Sequence, residues 1–105
     1  MLYIYNNTDT TRYPIEGGFT TAHQQIQDLC KARGWTIETF DIDETPDAKA
    51  IADQYGLTVF PVLFELADNE VGELTCTKIA EGLDAILLLG DDDIKRVDAI
   101  LAAQV

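Results

Sequence analysis

The chain has 105 residues, 47% of them hydrophobic, enough for one compact domain with a single core and too few for two. Nineteen acidic residues against seven basic give a net charge of -12, which repels phosphate backbones and anionic lipid and argues against nucleic-acid or membrane binding. Cys30 and Cys76 form no CxxC pair, so neither a zinc knuckle nor a disulfide framework is indicated.

The opening LYIY, residues 2–5, is β-branched or aromatic apart from one leucine and predicts a strand that the polar NNTDTT closes. This opening has no basic segment, its apolar run is too short for a signal peptide, and no later run is long enough to span a membrane. The expectation is a cytoplasmic protein. From Asn6 to Thr20, NNTDTTRYPIEGGFT combines Pro14, Gly17, Gly18 and several hydroxyl residues, a content that favours turns over regular structure. A loop this long in a small domain is more often functional than a bare connector.

Thr21 followed by Gln24 makes a capping box, and Ala22, Ile26, Leu29 and Cys30 share one face of a predicted helix over 22–33 that Gly34 stops. WTIETFDID, residues 35–43, predicts a second strand ending in acidic residues. Thr45 offers an N-cap and Pro46 a first helical residue, after which Ala48, Ile51, Ala52 and Tyr55 line one face up to Gly56.

The next run, GLTVFPVLFE, predicts a strand from Val59 to Leu66 with Pro61 inside it. Proline has no N–H to donate, so it belongs at a strand's first residue, on an edge, or where the backbone meets something other than a neighbouring strand. Pro61 is therefore a candidate binding position. The turn ADNEVG and a further strand from Glu73 to Ala80 complete an antiparallel hairpin. LDAILLLG, residues 83–90, fits a short helix, a third hairpin strand, or the start of a longer terminal helix broken at Gly90. Asp91, Asp92 and Asp93 place negative charge at the positive end of a last helix whose apolar side is Ile94, Val97, Ile100 and Leu101. No further oxygen ligands follow at calcium-loop spacing, so no metal is expected.

Strand, helix, strand, helix, strand hairpin, helix (βαβαββα) predicts an α/β domain with a mixed sheet and helices on both faces. The residues also resemble the thioredoxin superfamily. FDIDETPDAKAIADQYGLTVFPVLFELADNEVGE, residues 40–73, is similar to that family's acidic strand end, helix, proline strand and charged turn. CTKIAEG, residues 76–82, is similar to the strand that follows, and the opening LYIY looks more like glutaredoxins, which lack thioredoxin's extra leading strand and helix. The resemblance implies one thioredoxin-like domain over 1–105 and a cis peptide before Pro61. It further implies that Val59 and Phe60 form a backbone edge near the start of the first helix, where an extended peptide or glutathione pairs.

That family places CxxC at the N-terminus of the first helix, where the dipole lowers a thiol pKa. Here EGGFTTAH stands there, with neither a nucleophilic nor a resolving cysteine. Thr20 or Thr21 takes the second cysteine's place, but a threonine hydroxyl neither ionises usefully at neutral pH nor forms a disulfide, and both threonines are expected as caps. Cys30, on the helix's apolar side, and Cys76, in a strand, are the remaining redox candidates, each expected to be shielded with a raised pKa. His23 lies in the first helical turn without an adjacent nucleophile and is expected to be a surface residue. Gly90, Asp91 and Asp92 resemble the element that holds glutathione's amino group in glutaredoxins, although more residues separate them from the proline here.

These observations favour a protein- or peptide-binding module without redox chemistry, using Val59, Phe60 and Pro61 with Gly18, Phe19 and Thr20, and needing no cofactor. The alternative is a divergent thioredoxin- or glutaredoxin-type thiol–disulfide oxidoreductase with glutathione as a possible ligand. A third reading, an acidic decoy for a nucleic-acid-binding protein, requires the carboxylates to gather on one face.

Overall fold

The computed structural model describes residues 1–8 and 12–103. Residues 9–11 of the expected 6–20 loop lie outside the described residues. Strand β1 (Leu2–Asn6) leads to a short pair, β2 (Tyr13–Ile15) and β3 (Gly18–Thr20), and then to helix α1 (Ala22–Arg33). Strand β4 (Glu38–Asp41), helix α2 (Pro46–Tyr55) and the hairpin β5 (Val62–Asp68) and β6 (Leu74–Glu81) follow, and α3 (Leu83–Leu87) and α4 (Asp91–Ala103) close the described chain. No helix among the described residues is long and apolar enough to cross a membrane.

The main sheet runs β4-β1-β5-β6. Strand β1 is parallel to β4, with Tyr3 beside Glu38 and Asn6 beside Asp41, and antiparallel to β5, with Leu2 beside Glu65 and Tyr5 beside Val62. Alternation along the strands separates two cores. Leu2, Ile4 and Leu63 pack with Ile26 of α1, Trp35, Ile86 of α3 and Val97 of α4. Tyr5, Val62 and Phe64 pack on the other side with Ala48 and Ala52 of α2 and with Leu57. The expected mixed α/β architecture is therefore present, with three helices on one face of the sheet and, among the described residues, α2 alone on the other.

Several expectations change. The 6–20 loop contains a hairpin: Tyr13 pairs with Thr20, Pro14 with Phe19 and Ile15 with Gly18. Gly17 turns the chain at φ 88°, a conformation that glycine adopts without a Cβ penalty. Pro14 is compatible because both strands of a two-stranded ribbon are edges. The second strand is shorter than expected, since Gly34 and Trp35 are committed to ending α1. The Gly34 N–H donates to the Lys31 carbonyl at 3.2 Å and the Trp35 N–H to the Cys30 carbonyl at 2.8 Å, the double bond of a Schellman stop. Strand β5 starts at Val62 rather than Val59, so residues 59–61 approach the sheet without joining it. Thr45 occupies the N-cap of α2, but its side chain makes no capping bond. Residues 83–87 form a short helix, the first of the three possibilities for that segment.

Candidate functional site

Because β5 runs antiparallel to β1, the end of β1 and the start of β5 lie at the same end of the sheet. The last ladder pair is Tyr5 with Val62, which sets Asn6 and Pro61 next to each other in register. Asn6 is a buried polar residue, and such groups persist only when bonded. Its Oδ1 accepts the Asn7 N–H at 2.9 Å, and its Nδ2 lies 3.2 Å from His23 Nδ1. Its carbonyl accepts the Ile42 N–H at 2.9 Å. Asn6 thus ties the end of β1 to the first turn of α1 and to the turn after β4. Sequence reasoning missed it, because a polar residue just past an apolar strand looks like the start of a loop.

With Asn6 Oδ1 committed to a backbone N–H, its amide donates to His23 Nδ1 and leaves the neutral ring's proton on Nε2. Nε2 lies 2.9 Å from Gln27 Nε2, and its N–H finds an acceptor there only when the Gln27 amide is turned to present its oxygen. Nδ1 is engaged by Asn6, so His23 links the start of α1 to the end of β1. Thr21 caps α1, its hydroxyl accepting the Gln24 N–H at 3.2 Å. Thr20 is not a cap; it is buried at the end of β3.

The Phe60–Pro61 peptide is cis. Pro61 is buried, and its carbonyl accepts the Gly82 N–H at 2.7 Å. Phe60 is half-buried and packs against the α2-side core. Val59 is 45% exposed. Its Cγ1 lies 3.9 Å from where a Cβ on Gly82 would stand. Thr58, Val59 and Phe60 make no backbone hydrogen bond among the described residues. In the hairpin before α1, Gly18 is exposed, Phe19 is 67% exposed and Ile15 54%.

Cys30 packs with the α1–α4 core and Cys76 with the α2-side core, so the sheet lies between them. Both cysteines are free thiols. Burial pushes both thiols up, with Lys78 pulling Cys76 slightly back. Asp91 and Asp92 are exposed in the first turn of α4, where they offset the helix dipole. The acidic end of β4 is used internally: Asp43 accepts the Thr8 N–H at 2.7 Å and Asp41 the Thr8 hydroxyl at 2.9 Å. Among the described residues, no group of three or more His, Cys, Asp or Glu is placed to hold a metal ion.

Comparison with protein-family models, with curated proteins and with solved structures gives no match.

Among the described residues, this end of the sheet presents unpaired backbone groups and exposed apolar side chains. The raised pKa values of the thiols predict that both label slowly with a chromogenic thiol reagent at pH 7 and rapidly in denaturant, since only the thiolate reacts. Labelling should accelerate as pH rises through the elevated thiol pKa values. Fast labelling of either cysteine in the native protein at pH 7 would contradict the burial of the sulfurs. The same shifts lower stability at alkaline pH. Cys30, Cys76 and Tyr5 are all raised by burial, so their neutral forms contribute fully below about pH 8.5 and lose that contribution as pH climbs through the folded values.

Proposed function

We propose that this chain is a thioredoxin-like module without redox chemistry that captures an extended segment of a protein partner along Thr58–Pro61. The observation that carries this reading is the free backbone of Thr58–Phe60, which lies outside the sheet, has no intrachain partner among the described residues, and is flanked by exposed Val59. An extended peptide binds such an edge through main-chain hydrogen bonds, while apolar contacts select its side chains. The register of Asn6 beside Pro61, and the Asn6–His23 contact, support a groove near the start of α1. Phe19 and Ile15, exposed on the hairpin that enters α1, are the apolar residues we assign to its other wall.

The oxidoreductase alternative fares worse. Its thiolate would have to come from sulfurs that are partly buried, raised in pKa and on opposite sides of the sheet.

Selection of linear peptides on the immobilised protein, followed by NMR mapping of a winner, tests the reading. The expected result is a peptide with alternating apolar residues that shifts the amides of residues 58–60 and Phe19, together with no insulin reduction above the dithiothreitol background. Shifts confined to other surfaces, or insulin turnover lost on Cys30→Ser, would overturn it.

A further inference from the structure

We propose that the cleft between β1, β4 and the first half of α2 binds a small organic cation with an apolar body, an aralkyl- or alkylammonium. This site is separate from the peptide edge and does not depend on it. Among the described residues, helix α2 is the only helix on its face of a four-stranded sheet. Four strands at about 4.8 Å spacing are wider than one helix of about 10 Å diameter, so part of that face stays open. The opening is a cleft of about 300 Å³, at the small end of ligand sites and sized for one ring and a short chain.

Its lining specifies the charge. Tyr3, Tyr5 and Phe40 border it, with the Phe40 ring centroid 6.0 Å from each tyrosine ring. Grouped aromatic faces attract a cation through their quadrupoles. Glu38 and Asp47 also line the cleft, and no lysine, arginine or histidine does. The N-terminus of α2 adds a partial positive charge of about half a unit, which two carboxylates outweigh. An anion is therefore repelled and a cation held.

The cleft also offers a polar group to a ligand. Tyr5 lines it, and the Tyr5 hydroxyl makes no hydrogen bond among the described residues, whereas the Tyr3 hydroxyl contacts Met1 Sδ at 3.6 Å. An ammonium N–H in the cleft would donate to Tyr5, with the neutral phenol accepting. Ile51 of α2, also on the lining, suits the ligand's apolar body.

Three probes that share a body and differ in charge test this: 2-phenylethylammonium, 2-phenylethanol and phenylacetate, each titrated into the isotope-labelled protein at about 0.15 M salt to screen diffuse attraction. The ammonium should saturate, shift the amides of Tyr3, Phe40 and Ile51, and bind at least tenfold tighter than the alcohol, while phenylacetate should not bind. Glu38→Gln with Asp47→Asn should weaken the ammonium at least tenfold, and Tyr5→Phe several-fold. Asp84→Asn, an exposed acid in α3 on the opposite side of the sheet, should leave it unchanged. The same spectra show that each variant is folded. Equal binding of alcohol and ammonium, non-saturating shifts spread over the acidic surface, an Asp84→Asn loss matching that of the cleft variants, or Tyr5→Phe binding like the wild type would overturn the proposal.

Discussion

Phe64→Ala is expected to destabilise the protein by about 3–5 kcal/mol, the range for truncating a buried aromatic residue. Phe64 is fully buried in β5, an interior strand of the sheet. Its ring meets Tyr5 edge-on at 4.6 Å between centroids and lies 5.9 Å from Tyr3. Removing it takes apolar area from the core and also leaves two aromatic neighbours facing a void. Stability for a domain of this size totals only about 5–15 kcal/mol, so the variant should sit near its folding limit. At about 4 °C or more per kcal/mol, the thermal midpoint should fall by at least about 12 °C. Leu88→Ala is the control: Leu88 is 81% exposed, and its truncation should stay within about 0.5 kcal/mol. A Phe64→Ala loss below about 1 kcal/mol would mean that Phe64 is not enclosed between the sheet and α2 as described.

Trp35→Ala should have a comparable effect, about 3–5 kcal/mol, by a different route. Trp35 is the residue just beyond the glycine that stops α1, and its indole enters the core shared by α1, α3 and α4. The indole N–H donates to Asp98 Oδ1 of α4 at 2.7 Å, and the Arg33 guanidinium stacks 5.3 Å from the ring centre. The side chain thus joins the end of α1 to α4. Trp35→Phe keeps most of the apolar area and removes the donor, so a double-mutant cycle with Asp98→Ala, which removes the acceptor, isolates the hydrogen bond. A coupling of about 1 kcal/mol is expected, as for a partly exposed bond to a carboxylate. Circular dichroism is the appropriate readout, because Trp35 is the sole tryptophan and its replacement removes the fluorescence signal. Additivity of the two single changes would show that the indole acts by packing alone.

The parts of the fold that local punctuation fixes were legible in the sequence. Pro46 and Gly56 bracket α2, Thr21 and Gly34 bracket α1, and the structure keeps both helices at those limits. Strand limits were less so, because they depend on partners distant in the chain. Val59 and Phe60 have the composition of a strand, but the ladder to Tyr5 begins only at Val62, beyond a proline that cannot donate to it. The hairpin of β2 and β3 was hidden for a similar reason: Pro14 and two glycines suggest irregular structure unless the pairing of Tyr13 with Thr20 is already known.

Pro61 marked a candidate position by itself and the family resemblance extended it to Val59 and Phe60, whereas Asn6 was not visible. Its burial follows from the return of β5 beside β1, a contact between residues far apart in sequence. The cleft beside Tyr3 and Tyr5 was out of reach for the same reason. Alternation in LYIY shows that the tyrosines share a face, but not that a single helix covers it.

The proposed recognition at the Val59 edge uses no sulfur. Its most direct test is a titration of one selected peptide into three forms of the protein: wild type, Val59→Asp, and the double variant Cys30→Ser with Cys76→Ser. The account predicts that Val59→Asp binds at least tenfold more weakly and that the cysteine-free protein binds within about twofold of wild type. Binding that survives Val59→Asp but is lost with the cysteines would contradict it.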